Sequence, residues 1–534
     1  MLSSTFFTAS ILPLVWASPH LKRSCSSSSN FTVGQIVETS SGPISGHAAT
    51  NYSEVSEYLG IPFAQPPVGD LRFAAPEKHS GSSLLSGARY GNACAQVASG
   101  AIEPSAAAIA FSNITDVGIE LFNTISVPGL TDAVISEDCL YLNVWTKPQS
   151  GETQKAVMVF IHGGGFTGGT ASNMPIQDGS SLADQEDLVI VTFNYRVSIL
   201  GFPGNPEETN NLAFLDQRLA VEWVRDNIAN FGGDPTRITL FGQSAGAASV
   251  DYYSYAYASD PIVAGLIAQS GTTQLSGLPY AEATSATNWY EVTETLGCGN
   301  ATTNSTALLA CMRALPYDTI LNAVPSSGLS AIFSAFGPTV DNITVFANYA
   351  EQTPASIPML LGSNDYEPGT WQTQLALSNV TYADYLWDYM NLAGFTCLAG
   401  ERANLSIAAG NPTWRYRFHG IFPNTNISWE GGAYHGSEMT LIFGTEFARP
   451  ASTPEEVEVA NYIQGAWVAF AKDPVDGLSE YEGGWPTYEP AEETLIRLAY
   501  NNSVGTNLAL PDLYDSNCAE VSIAALVCEV FGVC

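Results

Sequence analysis

A serine held between two glycines, with a strand before it and a helix after it, constrains this chain more than any other feature. Ile238–Gly242 (ITLFG) is a run of apolar, β-forming residues, Gly242-Gln243-Ser244-Ala245-Gly246 follows with no linker, and small residues suited to a tightly packed helix begin at Ala247-Ala248. A chain that passes from strand to helix in one residue must strain the backbone there, and the flanking glycines remove the Cβ atoms that would clash. The Ser244 hydroxyl then stands at the top of a sheet, and the N–H of the following residue, Ala245, is free to meet a developing oxyanion. The alternative is a serine with only a structural role in a turn, and the strand and helix on either side argue against it.

The rest of the chain repeats the alternation that this turn requires. Ala156–His162 (AVMVFIH), Leu188–Asn194 (LVIVTFN), Gly265–Gln269 (GLIAQ) and Met359–Gly362 (MLLG) read as buried parallel strands. Between two of them, Leu215, Leu219, Trp223 and Ile228 fall at helical spacing, and Gly232-Gly233-Asp234-Pro235 stops that helix. Strands alternating with helices predict an α/β fold with a large, mostly parallel sheet covered by helices on both faces. No Pro/Gly-rich linker divides the 534 residues, so residues 31–534 are expected to form a single domain carrying insertions.

Composition narrows the partners. There are 18 Lys+Arg against 52 Asp+Glu, a net charge of −34, with hydrophobic residues at 46%. That is enough apolar material for a large core and excludes wholesale disorder. The negative field argues against nucleic acid and against a polybasic membrane surface. No apolar run long enough to span a bilayer follows the N-terminus, so stable membrane insertion is not expected.

A serine nucleophile needs a base, and only six histidines exist: His20, His47, His79, His162, His419 and His435. In a strand–serine–helix fold of this kind the chain order is nucleophile, acid, base, which leaves His419 and His435. His419 ends a strand-like run, Trp414–Phe418, whereas His435 lies in the glycine-flanked loop Gly431–Gly436 and is the favoured base. For the acid, Asp365 and Glu367 stand out because both follow the buried strand Met359–Gly362, at the carboxyl end of the sheet. Residue-level reasoning does not separate the two. His162-Gly163-Gly164-Gly165-Phe166 follows another strand, and its consecutive glycines can offer N–H groups to an oxyanion. A phosphate-binding role for these glycines is excluded because no Gly-Lys-Ser/Thr follows.

The N-terminus and the cysteines speak to location. Residues 1–17 read as a secretory signal peptide, with Ala17 at the cleavage point, and residues 18–30 as a short pro-segment or linker containing the dibasic pair Lys22-Arg23. Ten Asn-X-Ser/Thr sites, at Asn30, Asn51, Asn113, Asn300, Asn304, Asn342, Asn379, Asn404, Asn426 and Asn501, agree with a glycosylated extracellular protein. Nine cysteines with no Cys-X-X-Cys pair read as disulfides rather than metal ligands, leaving at least one unpaired, for which Cys25 is the candidate. The apolar tail Val521–Cys534 reads as a docked helix rather than a lipid-anchor signal.

Several blocks together resemble the type-B carboxylesterase/lipase family, the cholinesterase-like α/β-hydrolases, and look most like its secreted fungal carboxylesterases. They are Gly60–Phe73 (GIPFAQPPVGDLRF), Ser136–Trp145 (SEDCLYLNVW), HGGGF at 162–166, Asn194-Tyr195-Arg196, the dense stretch Asn211–Val250, Asn364–Glu367 (NDYE) and Ala433–Glu438 (AYHGSE). The resemblance implies the α/β-hydrolase fold with cap or lid insertions, and a Ser-His-Glu triad of Ser244, His435 and Glu367. It implies oxyanion donors at Gly164, Gly165 and Ala245, disulfides Cys94–Cys139, Cys298–Cys311 and Cys397–Cys518, and an Arg72–Glu137 ion pair. Ser270 matches a position that helps orient the triad from behind. No metal or organic cofactor is implied, and the partner is a small-molecule or lipid ester.

Three departures from the family stand out. Gln243 replaces a glutamate found in many members, the interval from Glu367 to His435 is shorter than in cholinesterases, and the Cys94–Cys139 loop lacks a Trp to receive a quaternary ammonium. Residues 101–130 in that loop read equally as a lid or as a packed insertion. The expected function is carboxylic-ester hydrolysis through an acyl-enzyme. The alternatives are an interfacial lipase or sterol esterase, a tailoring esterase or acyltransferase, and a non-catalytic binding protein on the same fold.

Overall fold

The computed structural model describes residues 31–97, 104–126, 134–148, 154–275, 278–325, 335–445 and 450–521. The expected signal peptide and pro-segment, Asn30, Cys25, Cys528, Cys534 and nearly all of the apolar tail lie outside these residues.

A ten-stranded mixed sheet organises the described chain. In chain order its strands are β1 His47–Ala48, β2 Ser56–Pro62, β3 Tyr141–Thr146, β4 Lys155–Ile161, β5 Val189–Phe193, β6 Gly233–Gln243, β7 Gly265–Gln269, β8 Met359–Asn364, β9 Thr413–Phe418 and β10 Leu495–Leu498. Across the sheet they run β10-β9-β8-β7-β6-β4-β5-β3-β2-β1. The seven from β10 to β5 are mutually parallel, and β3, β2 and β1 continue antiparallel at one edge. From β4 the sheet grows one way through β5 and the other way through β6. The switch between β4 and β6 opens a crevice beyond the carboxyl ends of those strands, where open α/β sheets take their ligands.

The strand pattern explains the layers. Every β4 residue is buried, and successive side chains point to opposite faces. Val157, Val159 and Ile161 pack with Ala220, Val224 and Ala248, which lie on helices α3 Leu212–Asn227 and α4 Ala245–Ala256. Met158 and Phe160 pack with Trp467 and Phe470 of helix α7 Pro454–Lys472 on the other face. That helix begins with a Thr453–Glu456 capping box and a proline in its first turn. Between α4 and α7 come α5 Gly369–Leu377 and α6 Asp384–Asn391. Before β3, inside the Cys94–Cys139 loop, lie α1 Ala106–Ser112 and α2 Asp116–Ser126.

Two strands are longer than their sequence patterns predict. Gly232, in the left-handed region at φ 88°, ends the helical stretch as expected. Gly233 already pairs with Lys155, and a register shift precedes Ile238, so β6 absorbs the stop signal. β8 likewise runs on to Asn364 because Ser363 and Asn364 pair with Arg417 and Phe418.

Among the described residues three disulfides are present: Cys94–Cys139, Cys298–Cys311 and Cys397–Cys518. Arg72 meets Glu137 at 2.6 Å beside the first of them. The nine sequon asparagines among the described residues are all exposed or half-exposed. Among those residues no helix is long and apolar enough to cross a membrane, and no group of three or more His, Cys, Asp and Glu could hold a metal ion.

Candidate active site

The turn after β6 has the strain its sequence requires. Ser244 sits at φ 60° and ψ −124°, a conformation costly for any residue with a Cβ. A Cβ on Gly246 would lie 2.0 Å from the Ile161 carbonyl oxygen, and one on Gly242 2.5 Å from the Gly246 backbone. The glycines therefore let α4 start hard against the end of β4. The Ser244 N–H donates to the Gln269 carbonyl at 2.8 Å, fixing the turn to the neighbouring strand.

The glycine loop after β4 lies against this turn. A Cβ on Gly163 would lie 2.8 Å from the Gln243 carbonyl oxygen and 3.0 Å from Ser244 Cβ, so glycine lets the loop approach. Gly164 and Gly165 take φ values of 112° and 61°, and among the described residues their N–H groups donate no hydrogen bond. Ala245 is the first residue of α4, so its N–H has no acceptor within the helix. His162 braces the loop: its ring stacks on Tyr195 at 4.3 Å, and Nδ1 contacts the Gly163 carbonyl at 2.8 Å. Burial brings its imidazole down to about 4, so it is neutral at pH 7.

Beyond β8 and β9 the structure pairs both candidate acids with both candidate bases. Glu367 Oε2 accepts from His435 Nδ1 at 2.5 Å, and Oε1 accepts the Asn364 N–H at 2.6 Å. Glu367 is fully buried, and the His435 N–H donates to the Glu367 carbonyl at 3.2 Å. Trp371 and Phe395 cover the imidazole, with ring centroids 4.8 and 5.2 Å away. Asp365 turns the other way. It accepts from Arg417 Nε at 2.6 Å and lies 3.3 Å from His419 Nδ1. Burial alone would raise the Asp365 carboxyl, but hydrogen bonding from His419 and the charge of Arg417 outweigh it and bring it to about 2.

The free nitrogen of His435, Nε2, lies 3.2 Å from the side-chain amide nitrogen of Gln243, the residue next to Ser244. Among the described residues no hydrogen bond joins Ser244 Oγ itself to the imidazole. Ser270 is buried with its N–H on the Gly362 carbonyl, and its hydroxyl has no hydrogen-bond partner. It therefore makes no hydrogen bond to the Glu367–His435 pair.

Several polar residues at the site gave little or no sequence signal. Asn391 accepts the Glu367 N–H at 3.0 Å and donates to the Asp365 carbonyl at 2.9 Å, clamping the loop from 24 residues away. Glu438 is buried behind Glu367, where Asn364 Nδ2 donates to it at 2.5 Å and Gln269 at 3.3 Å. Burial, then the charge of Glu367, pushes its carboxyl up. Glu438 falls within the AYHGSE block, which could have pointed to it; Asn391 lies in no motif. The described part of the 101–130 segment is packed. Thr115 N–H donates to the Ile427 carbonyl at 2.9 Å, and Ile114, Leu121 and Phe122 pack with Ile427 and Tyr434, the residue before His435.

The sheet order, with a strained serine turn and a glycine loop at its switch point, defines an α/β-hydrolase. The chain belongs to the carboxylesterase family, whose model matches residues 33–384 and 376–513, and it is a carboxylic ester hydrolase. It is 36% identical over 500 residues to a chlorogenic acid esterase of Aspergillus niger, covering 88% of this chain and 91% of that one. It is 34% identical to secreted lipase 5 of Gibberella zeae, covering 91% and 94% of the two chains. A mouse cholinesterase is 30% identical, covering 87% and 83%.

Proposed function

We propose that this protein is a secreted esterase that cleaves carboxylic esters through Ser244, His435 and Glu367. The observation that carries this reading is the 2.5 Å contact between His435 Nδ1 and buried Glu367, on a loop that brings the other imidazole nitrogen to the residue beside Ser244. Glu367 holds the tautomer with its proton on Nδ1, leaving Nε2 as acceptor. Ser244 Oγ gives its proton to Nε2 as it bonds to the ester carbonyl carbon. The carbonyl oxygen takes the negative charge and meets the N–H groups of Gly164, Gly165 and Ala245. His435 then protonates the leaving alcohol, and water reverses the sequence to release the acid.

Secretion is supported by the N-terminal segment, the surface placement of the sequons and three disulfides. Residues 31–534 serve as one catalytic unit. The similarity to a chlorogenic acid esterase supports trying chlorogenate among the first esters.

The test is hydrolysis of p-nitrophenyl esters from acetate to palmitate, and of chlorogenate, with Ser244→Ala beside the wild type. Turnover is expected to fall by several powers of ten in the variant; near-normal activity would overturn the assignment. An interfacial lipase is the second reading, favoured by exposed Phe111, Tyr385 and Trp429 on α1, on α6 and near the His435 loop. A jump in rate once the substrate exceeds its solubility would select it.

A further inference from the structure

Gln243 is built into the site more tightly than a residue merely flanking the nucleophile needs to be. Its half-buried carboxamide is held between two loops, each with a glycine where it passes. A Cβ on Gly163 would crowd Gln243 Oε1 at 3.0 Å, while one on Gly436 would sit in ordinary contact with Nε2 at 3.5 Å. The amide nitrogen comes to rest 3.2 Å from His435 Nε2. With the imidazole proton on Nδ1 facing Glu367, Nε2 carries a single in-plane lone pair, and only a donor suits it. An amide nitrogen is such a donor; a carboxylate in the same place is not.

We propose that Gln243 is a positioning residue for ester hydrolysis. In the free enzyme its amide N–H donates to His435 Nε2, selecting the tautomer that accepts the serine proton and holding that lone pair until Ser244 Oγ takes it over. The inference rests on the Ser244–His435–Glu367 reading. One lone pair accepts one strong donor, so amide and hydroxyl take turns, and the amide is the partner in the unliganded geometry. A neutral partner also leaves the imidazole with only the carboxylates it already has. These are Glu367 on the loop after β8, at Nδ1, and buried Glu438 three residues along. Asp365 faces Arg417 instead, and the other groups packed on the ring, Trp371 of α5 and Phe395, carry no charge. A carboxylate at position 243 would add a negative group directly at Nε2 and favour the imidazolium, which cannot take the serine proton.

The experiment is the pH dependence of kcat/KM on a soluble p-nitrophenyl ester for wild type, Gln243→Glu and Gln243→Met. The glutamate variant is expected to move the acid limb upward by about one pH unit. That is about a tenfold loss a unit below the wild-type limb. The methionine variant, equal in length but without charge, is expected to leave the limb within a few tenths of a unit. Coincident limbs for wild type and Gln243→Glu, or equal displacement in both variants, would overturn the proposal. Ser244→Ala is measured alongside. If it stays active, the underlying triad reading falls; if it is dead while the limbs coincide, only the role of Gln243 falls. Nitrogen-15 NMR of the histidines in the wild type, with His435 assigned by its loss in His435→Gln, gives a readout that needs no variant at 243. Nε2 is expected to be the unprotonated, hydrogen-bonded nitrogen, and a proton found there overturns the proposal.

Discussion

The loop Asn364–Pro368 holds two carboxylates two residues apart, and each faces its own histidine. Glu367 meets His435 with no exposure of the carboxylate, under a cover of Trp371 and Phe395. Asp365 meets His419 with its side chain 41% exposed, and Arg417 shares that carboxylate with the histidine. The far nitrogens differ as well. His435 Nε2 looks toward the residue beside Ser244, whereas His419 Nε2 lies 3.5 Å from the Tyr514 hydroxyl. A carboxylate near an imidazole is therefore not enough to make a base. In the second pair the arginine already compensates the carboxylate, and the group recorded opposite the far nitrogen among the described residues is the Tyr514 hydroxyl. What the pair does hold is the backbone: Arg417 ties the Asp365 carboxylate and carbonyl to Thr396 Oγ1, next to Phe395 that covers His435.

Substituting the two histidines should break the comparison most sharply. His435→Ala is expected to lower kcat by several powers of ten, while His419→Ala stays within about tenfold of wild type. Equal losses would mean that the two pairs had been assigned the wrong way round. The carboxylates come next. Glu367→Gln should cost about 10³–10⁴ in kcat through loss of the tautomer, and Asp365→Asn less than about tenfold, each read from steady-state kinetics with KM nearly unchanged.

Arg417→Met probes this hold on the backbone. Removing hydrogen bonds from a buried guanidinium is expected to destabilise by about 1–3 kcal/mol in urea unfolding, with a smaller drop in kcat as the Asn364–Pro368 loop loosens. The smallest effect is on pH dependence. The Asp365 carboxyl is lowered to about 2 in the fold, so its contribution is present above the ordinary carboxylate range and is lost as pH falls toward 2. The stability gap between wild type and Asp365→Asn should therefore narrow between pH 5 and pH 2; a gap independent of pH would show that the Arg417 contact adds nothing through charge.

Much of the scaffold was legible because it depends on short stretches of chain. The continuous apolar run AVMVFIH, the Gly232 stop and the glycines about Ser244 each act within a few residues, so their physics is written locally. Strand ends were less legible, since Gly233 and Asn364 join the sheet only through partners on β4 and β9. Asn391 left no signal at all, because a side chain that clamps a loop from another helix answers to no spacing rule.

The sequence by itself determined the alternating α/β order, the family and the need for a strained serine turn. Each follows from local sterics and from apolar periodicity. The family resemblance pointed to Glu367 and His435, but only the tertiary structure shows how each carboxylate is aimed at its histidine. Asp365 and Glu367 lie in one short loop with the same local preferences. Their directions are set by long-range bonds: Asp365 N–H to the Phe418 carbonyl, Tyr366 N–H to the Ala433 carbonyl and Glu367 N–H to Asn391. The contact between Gln243 and His435 likewise joins residues 192 apart, and it exists only where the β6 turn and the His435 loop meet above the sheet.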